Sequence, residues 1–112
     1  MIVLATAAVT TYAGSGSATS LDGTGTAATF ISAGDIHAIG NDLYVADAAA
    51  LRLIQPGAVV TTVAGRASRW ALRDGTGDIA RFESVGGIGG DSHTNLYLTD
   101  FGGSQIRKAR IP

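Results

Sequence analysis

Two groups of side chains in this 112-residue chain have types and spacings suited to chemistry. Asp35 and His37 stand two apart in a run of β character, Asp35 to Ile39, so both side chains leave the same face of a strand. Carboxylate and imidazole suit a divalent cation or a small polar ligand. Arg66, Arg69, Trp70 and Arg73 crowd one loop, which holds the only tryptophan of the chain. An aromatic ring flanked by guanidinium groups suits stacking on a sugar or base and pairing with an anion. The plainer alternative is a ring packed between neighbouring units, with arginines that only face water.

An enzyme needs a nucleophile with its base, or an acid and base pair, and the chain offers neither at a telling spacing. His37 and His93 fall on different strands, and no serine stands in register with either. Asp-Gly-Thr-Gly, present at Asp22 to Gly25 and at Asp74 to Gly77, lacks the lysine and the strand-to-helix context of a phosphate-cradling loop. It reads as a turn, in which Asp accepts from the N–H groups that follow and Gly supplies left-handed backbone. Asp47 and Asp100, at matching strand ends, read as aspartates that cap a turn.

The elements that must position these residues come in two copies. Val9-Thr10-Thr11-Tyr12-Ala13-Gly14 returns as Val60-Thr61-Thr62-Val63-Ala64-Gly65, and Asp22 to Phe30 returns as Asp74 to Phe82. Leu43-Tyr44-Val45-Ala46-Asp47 returns as Leu96-Tyr97-Leu98-Thr99-Asp100, and Arg52 to Gln55 as Gln105 to Lys108. A period of about fifty residues with β-type content is the mark of a repeat architecture. The first copy predicts strands at Val9 to Ala13, Asp35 to Ile39, Asp42 to Asp47 and Leu51 to Gln55. The second predicts them at Val59 to Ala64, Gly87 to Gly90, Asn95 to Thr99 and Gln105 to Ile111. Gly40-Asn41 predicts a tight hairpin. Four glycines in Gly86-Gly87-Ile88-Gly89-Gly90 weaken a strand unless another group approaches its backbone closely; a loose loop is the alternative. Phe30 and Phe82 should fill the space between neighbouring units.

Composition narrows the partners. With 15% charged residues and a net charge of −1, the surface is short of charge, and self-association is the simplest explanation. That balance gives no general pull toward nucleic acid or anionic lipid, so neither is expected as a partner. Without cysteine there are no disulfides and no thiolate sites, and compartment stays undetermined. The apolar start, Met1 to Val9, is too short to span a membrane and reads as a strand.

Taken together, the Val-Thr-Thr-x-Ala-Gly strand, Asp-Gly-Thr-Gly-x-x-Ala-x-Phe, the Leu-Tyr-Val/Leu-x-Asp strand and the closing Ile106-Arg107-Lys108 resemble the NHL repeat. This is the unit of a family of β-propellers, usually six-bladed. The chain departs from it at Ala33 and Val85, where the family often has proline, and at Ala50 and Gly103, where it often has asparagine. The resemblance implies an all-β propeller of two four-stranded blades within one domain, residues 1–112, with repeats at about 9–59 and 60–112. In the family the Val-Thr-Thr strand is outermost in its blade, so this chain starts with an outer strand and ends with a third strand that lacks its fourth.

Residues 1–13 of one chain would then complete the last blade of the next, and two blades per chain in a six-bladed ring imply a head-to-tail homotrimer. A piece of a longer chain, or an engineered minimal propeller, fits the same pattern. Threefold symmetry would gather three copies of Asp35 and His37 around one axis, where a divalent cation is conceivable, although no cofactor is expected and a polar channel lining is the plainer reading. Some family members are metal-dependent lyases and others bind proteins or RNA, so the fold alone does not choose. The expectation is a non-enzymatic scaffold whose face loops bind a carbohydrate or protein ligand; a metal-dependent lyase or hydrolase is the alternative.

Overall fold

A computed structural model of the chain describes residues 6–91 and 94–111. Eight strands form: β1 (Gly23–Thr24), β2 (Ala33–Ile39), β3 (Asp42–Asp47), β4 (Ala50–Gln55), β5 (Val59–Gly65), β6 (Val85–Gly90), β7 (Asn95–Asp100) and β8 (Gln105–Arg110). Single 3₁₀ turns, Gly25–Ala27 and Gly77–Ile79, follow the two Asp-Gly-Thr motifs. The chain is all-β. A five-stranded sheet runs β1-β5-β4-β3-β2 and a three-stranded sheet runs β6-β7-β8, every pair antiparallel, and neither sheet closes on itself.

Short connections make these meanders. Gly40 and Asn41 join Ile39 to its partner Asp42, but only Gly40 takes a positive φ, 59°, as in a hairpin turn with Gly first. Both meanders carry the same irregularity near the start, between Ala33 and Asp35 and between Val85 and Gly87, where one extra residue bends the strand. These are the positions at which proline was expected and is missing. The repeats therefore share their distortions as well as their strands.

Period-two alternation divides β3 and β4 into two faces, both apolar. Tyr44, Ala46 and Leu51 look toward the second sheet, where they form one core with Phe82, Val85, Leu96 and Leu98. Val45, Ile54 and Val60 look the other way and gather Ala28, Ala13, Phe30 and Leu43. Phe82 fills the space between the sheets, as its size suggested. Gly65 makes this possible: with φ at 73°, an added Cβ would lie 2.5 Å from the Ala49 carbonyl oxygen and 2.8 Å from the Phe82 ring.

The first expected strand is absent. Val9 to Ala13 forms no strand and pairs with no other segment among the described residues, and Val9 is 90% exposed. A strand needs a partner for its backbone N–H and C=O groups, and none lies beside Val9 to Ala13 among the described residues. The second sheet has three strands, and among the described residues no fourth lies beside β8, the strand that the family resemblance left without its outer neighbour. Residues 1–5 of the expected N-terminal clasp, and His93, lie outside the described residues.

Candidate functional site

Each repeat builds one buried ionic node around a strand-end aspartate. Asp47 Oδ1 accepts the Ser32 N–H at 2.7 Å, so it does cap the turn, while its Oδ2 accepts from Arg52 Nη1 at 2.8 Å. Arg52 goes on to donate to the carbonyls of Thr29 and Leu21, to Ser20 Oγ and to Asp22 Oδ1. Its guanidinium stacks 4.8 Å from the centre of the Phe30 ring. The second repeat reproduces all of these contacts except the one to a serine hydroxyl, since Leu72 stands where Ser20 does. Arg107 donates to Asp100 Oδ2, to the carbonyls of Arg81 and Arg73 and to Asp74 Oδ1, and stacks 4.9 Å from Phe82.

Sequence reasoning missed these arginines, aligning Arg52 with Gln105 where the structure aligns it with Arg107. The signal was available: in each repeat an arginine, Arg52 or Arg107, stands third on the strand that follows the strand-end aspartate. A fork of donors held by four or five acceptors fixes the path of the long loop that precedes each meander.

Asp35 and His37 do share a face, and that face turns toward β6. Asp35 Oδ2 accepts the Ile88 N–H at 2.8 Å, across from one sheet to the other, and Oδ1 accepts the Ile36 N–H at 2.9 Å. His37 lies against β6 so closely that a Cβ on Gly90 would sit 2.6 Å from Nε2. The glycines of β6 are therefore a strand accommodating its neighbour, not a loose loop. What Asp35 does here is tie β2 to β6, the facing edge strands of the two sheets.

The Ile88 and then the Ile36 N–H, with His37 adding a little, hold the Asp35 carboxyl below its ordinary value. A depressed folded-state pKa stabilises the fold above the unfolded value, about 3.9, and that contribution is lost as pH falls through the folded value. Asp35→Asn is expected to lower stability at neutral pH and to shrink its decline on acidification. Urea midpoints of both proteins from pH 7 down to about pH 2 check this. Parallel acid limbs would remove Asp35 from the account.

The four residues of the Arg66 to Arg73 loop meet different fates. Arg66 is taken: its Nε and Nη2 form a fork on Asp78 at 2.6 and 3.0 Å, which lowers the Asp78 pKa and raises its own. Arg73 serves through its backbone, exchanging bonds with Arg81 and giving its carbonyl to Arg107. Arg69 closes a turn onto Arg66, and beside it Trp70 stands 68% exposed at the tip, not packed between sheets. Neither arginine–ring stack among the described residues involves Trp70.

The two sheets also differ in what covers equivalent residues. Leu51 and Tyr44 are 1% and 6% exposed, whereas Ile106 and Tyr97, which hold the same places in the second sheet, are 71% and 42% exposed. At the opposite end of the molecule a groove of about 430 Å³ runs over Phe30, Leu43, Val45 and Ile54. The face around Tyr44 and Leu51 is thus covered by the second sheet, while the matching face around Tyr97 and Ile106 is exposed and the groove over Phe30 and Leu43 is open.

Comparisons with known proteins bear on the fold. No protein-family model matches the chain, and neither does any curated protein. Among solved structures it is similar to a Bacteroides thetaiotaomicron protein provisionally named a phosphatase, with a TM-score of 0.80 and 24% identity over 88% of this chain and 26% of that one. A second protein from the same organism, of unknown function, superposes with a TM-score of 0.81 and 26% identity over 87% of this chain and 26% of that one. The chain spans about a quarter of the length of each. The all-β arrangement of two stacked meanders is what these likenesses support.

Proposed function

We propose that the chain is a self-assembling scaffold and binding module of the NHL-repeat β-propeller type, in which three copies close head to tail into a six-bladed ring and the face loops carry the ligand. One observation supports it above the others: the exposed face around Ile106 and Tyr97 and the open groove around Phe30 and Val45 are the two halves of the contact already made inside the molecule. A heterologous contact of that kind closes into a ring when its rotation divides a full turn. The longer solved structures are compatible with this, since a similar pair of sheets lies within a chain about four times as long. A lyase or hydrolase on the axis draws less support, because Asp35 uses both carboxylate oxygens on backbone N–H groups.

Native mass spectrometry of the 112-residue chain tests the assembly. A mass of three chains is the expected result; a folded single chain, or two or four chains, would overturn the six-bladed ring. Trp70 offers the ligand side of the proposal, an exposed ring beside Arg69 presented three times per ring, with avidity as the gain. Trp70→Ala is expected to abolish retention on a glycan array while leaving oligomer mass unchanged. Unaltered retention would exclude this loop as the site, and a change in mass would make Trp70 structural.

A further inference from the structure

The first repeat shows in full what the second is missing. Val60 on β5 lies opposite Ile54 and is covered on its other edge by Gly23, so the Asp-Gly-Thr motif forms β1 only because an outer strand runs beside it. Thr62 on the same strand donates its hydroxyl to Asp22 Oδ1 at 2.9 Å, and the Ala58 carbonyl accepts the Gly25 N–H at 2.8 Å. In the second repeat Gly75 and Thr76 form no strand, β8 has a free edge, and a groove of about 940 Å³ opens between the sheets. Among its lining residues are Ala80, Phe82, Leu98 and Ala109, the counterparts of the side chains around Val60. Asp74 is 99% exposed where Asp22 is 52% exposed.

The sequence that matches β5 is Val9 to Gly14, and its exit already resembles that of β5. Gly14 and Gly65 both take positive φ, 100° and 73°, and both lie against the phenylalanine of the following motif, Phe30 and Phe82. From those matches we infer that the segment Val9 to Gly14 of a second copy of this chain docks into this groove in one register, with Val9 between Ala109 and Gly75, Thr10 opposite Lys108, and Thr11 opposite Arg107 with its hydroxyl on Asp74. This rests on the head-to-tail assembly proposed above and adds to it the groove, the register and a recognition contact. The groove is apolar where Val9 enters and polar where Thr11 meets Asp74. That pattern rejects a shift by one residue, which would turn Val9 out to water and a threonine in.

Antiparallel partners place their Cα atoms about 4.5–5.5 Å apart, within the span a disulfide accepts. The natural chain has no cysteine to interfere. The double variant Val9→Cys/Ala109→Cys, mildly oxidised, is expected to give two- and three-chain species on non-reducing gels that collapse to one chain with reductant. Val9→Cys/Lys108→Cys, displaced by one residue, is expected to give none. A three-chain native mass without cross-linking, or equal cross-linking of both variants, overturns the register while leaving the assembly intact. A single-chain native mass of the unmodified protein overturns the assembly itself. If the cysteines themselves prevent association, Thr11→Val and Asp74→Ala decide: each should raise the concentration for half-assembly several-fold, and the double variant no further. Additive effects would overturn the contact.

Discussion

Arg52→Ala is expected to cost the fold about 3–5 kcal/mol, the range for breaking a buried ion pair from one side. Arg52 and Asp47 are both fully buried, so the substitution leaves a carboxylate with no counter-charge and no water, and also frees the carbonyls of Leu21 and Thr29. Against a total of about 5–15 kcal/mol for a domain, that removes much of the stability. Arg52→Lys should recover only part of the loss, because a single ammonium cannot reproduce the fork that reaches Asp47, Asp22 and two carbonyls. Arg107→Ala should cost less, since its outer partner Asp74 faces water, which already screens that pair and solvates the carboxylate left behind. Urea unfolding at one fixed protein concentration provides the comparison. A loss below about 1 kcal/mol for Arg52→Ala would mean that the node is ornamental.

Ile106→Asp is expected to leave the folded subunit unchanged and to abolish the assembly. In the single chain Ile106 faces solvent, where a substitution is worth about 0.5 kcal/mol either way. In the ring it would take the place that Leu51 holds inside the molecule, packed against the groove over Phe30 and Val45 of the next copy. Loss of that contact forfeits about 1.5–3 kcal/mol per interface. A carboxylate buried there without a partner adds several kcal/mol more. Native mass spectrometry should then report one chain, with an unaltered far-ultraviolet circular dichroism spectrum. An intact three-chain mass would remove this face from the interface.

Seven of the eight strands expected from the sequence are present with bounds within two residues, because the local signals were clear: alternation in Leu43 to Asp47 and the Asp-Gly-Thr motif each have a second example that checks them, and Gly40-Asn41 marks a tight turn. Val9 to Ala13 failed for an instructive reason. Its residues match those of β5, but strand formation depends on a neighbour, and no periodicity reveals whether one is present. Trp70 was legible as a special residue and not as an exposed one, since a tryptophan between sheets and a tryptophan at a loop tip are the same letter. Asp35 was read as lining a channel, and its bond to Ile88 depends on how closely β2 and β6 approach, which spacing within one strand does not contain.

What the sequence determined alone was the repeat, the order of the strands, the capping role of Asp47 and Asp100, and the place of Phe82 between the two units. Those follow from local chemistry: turn residues, side-chain alternation and size. Only the tertiary structure decided that Arg52 and Arg107 are buried centres of matching nodes, that Arg66 is already paired with Asp78, and that Leu51 and Ile106, which hold the same place in their sheets, differ in burial. Burial and pairing are set by which surfaces meet, and residues far apart in the chain become neighbours only when the sheets stack.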